Sequence, residues 1–314
     1  MSSSFRIIYM GTPQFAVPTL EYLLAHQENV VAVVTQPDRP KGRGRKLTPP
    51  RVKVVAEGAG IPVLQPKSIK TDEFLAEIEA YKPDLIVVVA FGRILPKPLI
   101  DLPKHGTINV HASLLPKYRG AAPIQWALIN NEAATGVTIM QMDEGLDTGD
   151  ILLPGAIPIA ASDTSETLAA KLSDLGGKLI IEALARLKDG NLPPIKQNES
   201  EATLAPLLCK QEGIIDWQKS AEDISGLIRG LDPWPTASTT LNGDQIKLFK
   251  PSVRPGEDTD QPGTVLRADK NGLLIATGKE FLLIKEVQLA CCKRMSIEAF
   301  LAGHPIKPGQ RLGQ

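Results

Sequence analysis

"DLIVVVA", residues 84–90, is apolar at every position after its opening Asp. A strand with one wet face alternates apolar and polar residues. A run with no polar face fits a strand of a parallel sheet covered on both sides. Just before it, "TDEFLAEIEAY" (71–81) has a helical period, with Thr71 or Asp72 as cap and acids in the first turn. Earlier still, "RIIYMG" (6–11) and "NVVAVVT" (29–35) read as two more strands, with the helix "FAVPTLEYLLAH" (15–26) between them. Pro18 is tolerated near the start of that helix. On the other side of the decisive run lie the strand "GTINVH" (106–111), a helix after Pro123, and the strand "GVTIMQMD" (136–143). Asp163 and Glu166 have capping-box spacing ahead of a helical pattern that runs to about Lys188 and stops at Gly190. Strands alternating with helices predict an α/β domain: a doubly wound, Rossmann-like, mostly parallel sheet.

Composition shifts at "DGNLPPIKQNESEATLAP" (189–206), which has two adjacent prolines, many polar residues and no apolar period. It reads as a linker. Beyond it come short strand-like runs: "TASTTLN", "QIKLFKP", "GTVLRAD", "GLLIATG" and "EFLLIKEVQLA". Asn242-Gly243 and Asn271-Gly272 fall between pairs of these runs, a hairpin signal. A small OB-like β-barrel of about five strands is expected. The 314 residues thus divide into a first domain at 1–189, a linker at 190–207 and a second domain at 208–314.

Bulk properties narrow the class. The chain is 43% hydrophobic and 22% charged with zero formal net charge, which argues against a protein basic throughout but not against a local basic patch. No stretch approaches the roughly 20 apolar residues of a membrane span, and "MSSSFRIIYMG" lacks the basic start and cleavage site of a secretory signal. Cys209, Cys291 and Cys292 form neither a disulfide framework nor CxxC metal spacing, so a cytoplasmic protein with reduced thiols is expected. His26, His105 and His304 lack metal-ligand spacing, and no metal is expected. Trp126, Trp217 and Trp234 read as core or interdomain packing residues. The first strand is followed by "GTPQF", without the G-x-G-x-x-G fingerprint, which counts against a nicotinamide enzyme.

The chemistry concentrates in "INVHASLLPKYRG" (108–120). Residues two apart in a strand share a face, so Asn109 and His111 project together at the carboxyl end of their strand, where ligands bind in open α/β sheets. "MDEGLDTGD" (142–150) supplies Asp143, Glu144, Asp147 and Asp150. A carboxylate from this loop can orient an imidazole; the alternative is a solvated acidic turn. Asn, His and Asp together suit acyl transfer in which the substrate brings its own nucleophile: the amide donates to an oxyanion, the imidazole moves a proton and the carboxylate holds the imidazole. Ser113 lies in SLLP rather than in a G-x-S-x-G elbow and reads as a poor acyl acceptor.

A second feature is "QPDRPKGRGRKLTPPRVK" (36–53), with seven basic residues against the single acid Asp38. Its glycines and prolines make a helix or strand across it unexpected. A solvated loop and an arm for RNA phosphates both fit.

Asn109, His111, Ser113-Leu114-Leu115-Pro116 and "GLDTGD" with Asp147 resemble the signature of folate-dependent formyltransferases, and "GAAPIQWA", "IDW" (215–217) and "PWP" (233–235) extend the resemblance over nearly the whole chain. It is nearest to the members that act on initiator tRNA. The resemblance implies that the α-amino group of methionine on initiator tRNA takes the formyl group of 10-formyltetrahydrofolate, through an oxyanion that collapses to release tetrahydrofolate. It implies that Asn109 and His111 stabilise that oxyanion and that His111 with Asp147 manages the amine proton. Ser113 to Pro116 would line the folate site, and Phe91 and Gly92 would help hold the pterin. Arg43, Arg45 and Lys46 would contact the tRNA, with the OB-like domain as a second RNA surface if Lys247, Lys250, Arg254, Lys293 and Arg294 gather on one face. A monomer without a membrane partner is expected. Formylation of glycinamide ribonucleotide would need only the first domain and a phosphate-binding Gly-rich stretch that is missing here. Formylation of a nucleotide-linked amino sugar is compatible with a C-terminal domain, but the arginine- and glycine-rich loop at 42–46 argues for tRNA instead. A non-catalytic tRNA-binding protein would have no need of Asn109, His111 and Asp147 together.

Overall fold

A computed structural model describes residues 4–41, 44, 46–256 and 260–313 of the chain. They divide into two compact units that the chain visits alternately: 1–120, 135–157 and 169–204 in the first, and 121–134, 158–168 and 205–314 in the second.

The first unit is built on a seven-stranded sheet. Its strands are β1 (Ile7–Gly11), β2 (Val30–Val34), β5 (Val63–Leu64), β6 (Leu85–Val89), β7 (Thr107–His111), β9 (Ala134–Gln141) and β10 (Ile151–Pro158); the two-residue strands β8 (Arg119–Gly120) and β11 (Leu204–Ala205) lie outside this sheet. The order across the sheet is β10-β9-β7-β6-β1-β2-β5. The pairs β1–β2, β1–β6, β2–β5 and β6–β7 are parallel, and β7–β9 is antiparallel. The decisive run became β6, all five of its residues buried. Ile86 and Val88 join Ile8, Met10, Phe74 and Ile78 in one core cluster. Leu85, Val87 and Val89 on the other face are equally inaccessible, so the sheet is covered on both sides as its composition required. Each such side chain contributes roughly 1.5–3 kcal/mol on burial.

Strand order reverses between β1 and β6, which makes the crevice at their carboxyl ends the switch point of the sheet. The helices around it are α1 (Val17–Ala25), α2 (Arg51–Gly58), α3 (Asp72–Ala80), α4 (Lys97–Ile100) and the body of α6 (Ser165–Lys188). α3 begins as expected: the Thr71 side chain accepts from the Phe74 N–H, with Asp72 and Glu73 in the first turn. The cap of α6 lies one residue beyond the expected Asp163–Glu166 pair. Thr164 and Thr167 bond reciprocally there, while Asp163 turns back to the Ala160 N–H.

The basic segment departs from expectation. Arg39–Lys41 (β3) and Lys46–Thr48 (β4) pair as an antiparallel hairpin, with Pro40 opposite Leu47. A two-stranded ribbon is all edge, so Pro40 can sit where no ladder N–H is needed. Its base is tied by Lys53, whose ammonium bonds Asp38 at 3.0 Å and Gln65 at 2.9 Å. Hydrogen bonds from Gln65 and Lys53 hold the Asp38 carboxyl below its usual range.

The second unit carries α5 (Pro123–Ile129), α7 (Ala221–Gly230), α8 (Ile297–Leu301) and an antiparallel sheet. The strands are β12 (Ser238–Leu241), β13 (Asp244–Arg254), β14 (Val265–Asp269), β15 (Gly272–Ala276) and β16 (Phe281–Leu289), with the short β17 (Met295–Ser296) beside β16. Their order is β12-β13-β16-β15-β14, the small antiparallel domain that the strand spacing predicts. α7 buries Ile224 and Ile228 among Leu248, Ile275 and Ile284. Gly226 and Gly230 let it approach α5, because a Cβ at either would fall within 3 Å of the Leu128 or Gln125 carbonyl oxygen.

Asn242-Gly243 forms the two-residue turn of β12–β13, both residues at positive φ. The β14–β15 turn instead falls on Lys270-Asn271, one residue early, with Gly272 already paired to Asp269. The Asp269 carboxylate accepts from the Asn271 N–H at 2.7 Å, so an Asx turn overrides the Asn-Gly signal. Trp217 is core, its indole N–H on Thr239 Oγ1. Trp126 is half-buried, but Trp234 is 54% exposed and is not a packing residue within this unit.

Candidate active site

β7 delivers Asn109 and His111 to the carboxyl edge of the sheet, and β6 delivers Phe91 and Gly92 beside them. His111 is buried, and both ring nitrogens have neighbours. Nε2 lies 2.9 Å from the Tyr118 carbonyl. A carbonyl only accepts, so Nε2 carries the proton and Nδ1 holds the lone pair of the neutral ring. Nδ1 lies 3.6 Å from Asp147 Oδ1, longer than a hydrogen bond and close enough for charge to matter. Asn109 Nδ2 is 3.5 Å from the same oxygen. The structure therefore brings Asn109, His111 and Asp147 together.

Of the four acids in the loop, only Asp147 reaches the imidazole. Asp143 closes the loop on itself, accepting from the Gly145 N–H and Thr148 Oγ1. Glu144 faces Lys97 at 3.8 Å. The Asp147 backbone is left-handed, φ 53°, a conformation that costs a non-glycine residue on the order of 1 kcal/mol or more. Three residues hold it there. The Gly120 N–H donates to Asp147 Oδ2 at 2.8 Å. Gln197 Nε2 donates to the Asp147 and Gly149 carbonyls at 2.8 and 2.7 Å. Gly149 packs so tightly that a Cβ there would lie 1.9 Å from the Gln141 carbonyl oxygen.

The segment expected as a linker is thus an ordered strap. Ile151 and Ile195 exchange two backbone hydrogen bonds of 2.8 Å, and the Arg119 N–H donates to the Thr203 carbonyl. Arg119 is buried apart from its edge. It donates from Nε to Gln197 Oε1 at 3.0 Å and from both terminal nitrogens to Glu199 at 2.9 and 2.8 Å. This bonding raises the affinity of the guanidinium for its proton and holds the Glu199 carboxyl below its usual range. Composition concealed Gln197 and Glu199: polar residues after Pro193-Pro194 look the same in a free linker and in a bonded strap.

The remaining expected positions divide. Ser113 is fully buried; its hydroxyl donates to the Lys117 carbonyl at 2.6 Å, and its own carbonyl accepts from Thr138. Leu115 is buried, and Leu114 and Pro116 are half-buried. The Phe91 ring lies in the core, and its carbonyl accepts from Thr12 and Gln36 at the switch point. Gly92 is exposed at φ 79°, with open space where a Cβ would stand. Lys46 is exposed on β4; Arg43 and Arg45 lie outside the described residues. In the second unit Lys250 and Arg294 are compensated, both paired with Glu286 and Arg294 also with Asp232. Among the described residues no group of three or more His, Cys, Asp or Glu converges as a metal site. No helix among them is long and apolar enough to cross a membrane.

An Asn–His–Asp group at the end of a mostly parallel sheet, with the nearby serine turned inward, suits a group transferase whose acceptor supplies the nucleophile. Comparison agrees. Residues 5–184 match formyl transferase and residues 208–305 match the formyl transferase C-terminal domain, and the chain belongs to the formyl transferase family. It is 57% identical to "Methionyl-tRNA formyltransferase" of Desulfotalea psychrophila, over 96% of this chain and 94% of that protein. Two solved structures share the fold. One is an N-formyltransferase from Helicobacter canadensis in complex with folinic acid and dTDP-3-aminofucose (TM-score 0.67, 20% identity, 93% of this chain, all of that one). The other is HypX from Aquifex aeolicus in complex with tetrahydrofolic acid (TM-score 0.65, 19% identity, 95% of this chain). This chain spans about half the length of HypX, 47%.

Proposed function

We propose that this enzyme transfers the formyl group of 10-formyltetrahydrofolate to the α-amino group of methionyl-initiator tRNA, giving N-formylmethionyl-tRNA. The observation that carries the reading is the convergence of Asn109 and His111 on one oxygen of Asp147, at 3.5 and 3.6 Å. Identity over nearly the full length to a protein named for that reaction supports the choice of acceptor.

The donor, when bound, supplies the formyl carbon. The switch-point crevice suits its flat heteroaromatic ring: Gly92 leaves open space, Ile94 and Leu146 are exposed, and Lys97–Glu144 brings their two loops together. Leu114, Leu115 and Pro116 form the wall on the β7 side, and Ser113 fixes their turn through its bond to Lys117. Asn109 donates its amide N–H to the oxygen where negative charge develops. His111 takes a proton from the incoming amine at Nδ1, because Nε2 is committed to Tyr118. The Tyr118 carbonyl keeps the ring in that tautomer, and Asp147 faces the imidazolium once it has formed and stabilises its charge. Once protonated, His111 can donate to the same oxygen as Asn109. In this reading residues 1–189 are the catalytic domain, 190–207 join the domains, and 208–314 are an OB-like tRNA-binding domain. Arg43, Arg45 and Lys46 meet RNA phosphates, Lys46 from the exposed strand β4. The enzyme works without a metal, as a cytoplasmic monomer.

The test offers 10-formyltetrahydrofolate with three amines in parallel: initiator Met-tRNA, elongator Met-tRNA and a nucleotide-linked amino sugar. Rapid transfer to the initiator species alone is expected. Transfer to the sugar alone would overturn the acceptor and the role of the basic hairpin while leaving the catalytic group in place.

A further inference from the structure

The bonds around Gln197 go beyond support of a loop. Its amide has one permitted orientation: Arg119 can only donate, so Oε1 faces Arg119, and the Asp147 and Gly149 carbonyls can only accept, so Nε2 faces them. Both amide N–H donors and one lone pair of Oε1 are therefore used, each at 3.0 Å or less. The two carbonyls it clasps flank Thr148 and fix the left-handed turn on which the Asp147 carboxylate depends. The guanidinium that orients the amide belongs to Arg119, whose neighbours complete the site. Tyr118 accepts from His111, and Gly120 donates to Asp147. His111, Tyr118–Gly120, Gln197 and Asp147 thus close one ring of contacts, and Gln197 is its only member drawn from the strap.

We propose that Gln197 is a positioning residue for formyl transfer: its amide, oriented by Arg119, clasps the Asp147 and Gly149 carbonyls and so sets the Asp147 carboxylate against His111. This rests on the reading of Asp147 as the partner of His111. Gln197 touches neither substrate in this role, so its removal lowers kcat and leaves KM for donor and acceptor nearly unchanged.

The experiment is a double-mutant cycle on the full chain. Gln197→Met keeps length and volume but removes the amide. It is compared with wild type and, separately, in an Asp147→Ala background, by initial rates with initiator Met-tRNA and 10-formyltetrahydrofolate. The expected result is a fall in kcat of about 10- to 100-fold in the wild-type background, the scale of a catalytic group displaced by about 1 Å, and no further fall when Asp147 is already absent. A wild-type kcat for Gln197→Met, with Asp147→Ala slow, overturns this proposal alone. An equal fold-loss in both backgrounds also overturns it, since the strap would then act independently of Asp147. A wild-type kcat for Asp147→Ala overturns the underlying reading as well. Thermal unfolding is followed for each variant. If Gln197→Met fails to fold, Gln197→Asn serves in its place: it keeps the amide but is one methylene too short to span both carbonyls, and the same outcomes apply.

Discussion

The Gly120 N–H donates to Asp147 Oδ2 at 2.8 Å, while two residues earlier the Tyr118 carbonyl holds His111 Nε2 at 2.9 Å. One short stretch of backbone therefore registers the imidazole and the carboxylate against each other. The side chains need little freedom of their own, and the rigid edge of β7 sets the geometry. Preorganisation of this kind makes a buried donor effective, because no reorientation is needed as charge develops.

Asn109→Ala and His111→Ala should each lower kcat by about 10²–10³-fold or more, the scale for loss of an oxyanion donor or a general base. Donor affinity should change little. Steady-state rates and equilibrium binding of a folate analogue check both statements, and near-wild-type kcat in either variant would remove that residue from the mechanism.

Asp147→Asn separates charge from shape. Asn tolerates a left-handed backbone, and its amide oxygen can still accept from Gly120, so stability should hold. The imidazolium loses its counter-charge, and kcat should fall by about 10²-fold or more. A variant with unchanged unfolding and unchanged kcat would show that the carboxylate charge is not used.

Gly149→Ala tests the loop from the other side. Its Cβ would meet the Gln141 carbonyl, which is backbone at the end of β9 and cannot move aside cheaply. A loss of about 1–3 kcal/mol is expected on urea unfolding, together with a fall in kcat. Gly190→Ala, in open space, is the comparison: its φ of 67° makes it mildly costly, but kcat should survive.

Glu199 gives a pH prediction with a definite sign. Hydrogen bonds from Arg119 depress its folded-state value. Its contribution is therefore complete above the unfolded value, about 4.3, and is lost only as pH falls through the lower folded value. Between pH 6 and 9 the strap should stay closed. Glu199→Gln should leave the shape of the pH–rate profile in that window unchanged, and a new inflection there would contradict the assignment.

Affinity for initiator tRNA should fall steeply as salt rises, as expected when several phosphates are neutralised. Lys46→Ala should weaken binding and reduce the slope of log affinity against log salt by about one. An unchanged slope would place Lys46 away from the RNA.

By itself the sequence determined the sheet and picked out Asn109, His111 and an acidic loop as candidate reacting groups. The strand 84–90 has no polar face, so it had to be covered on both sides, and β6 is. Asn109 and His111 had to share a face because strand geometry has a period of two. Helix starts and the Asn242-Gly243 turn were legible because they depend on bonds between residues a few positions apart. Tertiary structure decided which of four neighbouring acids meets the imidazole, which ring nitrogen is free, and that a proline-rich stretch is a strap rather than a tether. It also paired the basic segment as a hairpin and turned the Phe91 ring into the core. These outcomes rest on hydrogen bonds between residues far apart in the chain, such as Gln197 to Asp147 and Arg119 to Glu199. Such pairings leave no local period or propensity, because each partner alone is only a polar residue on a polar segment.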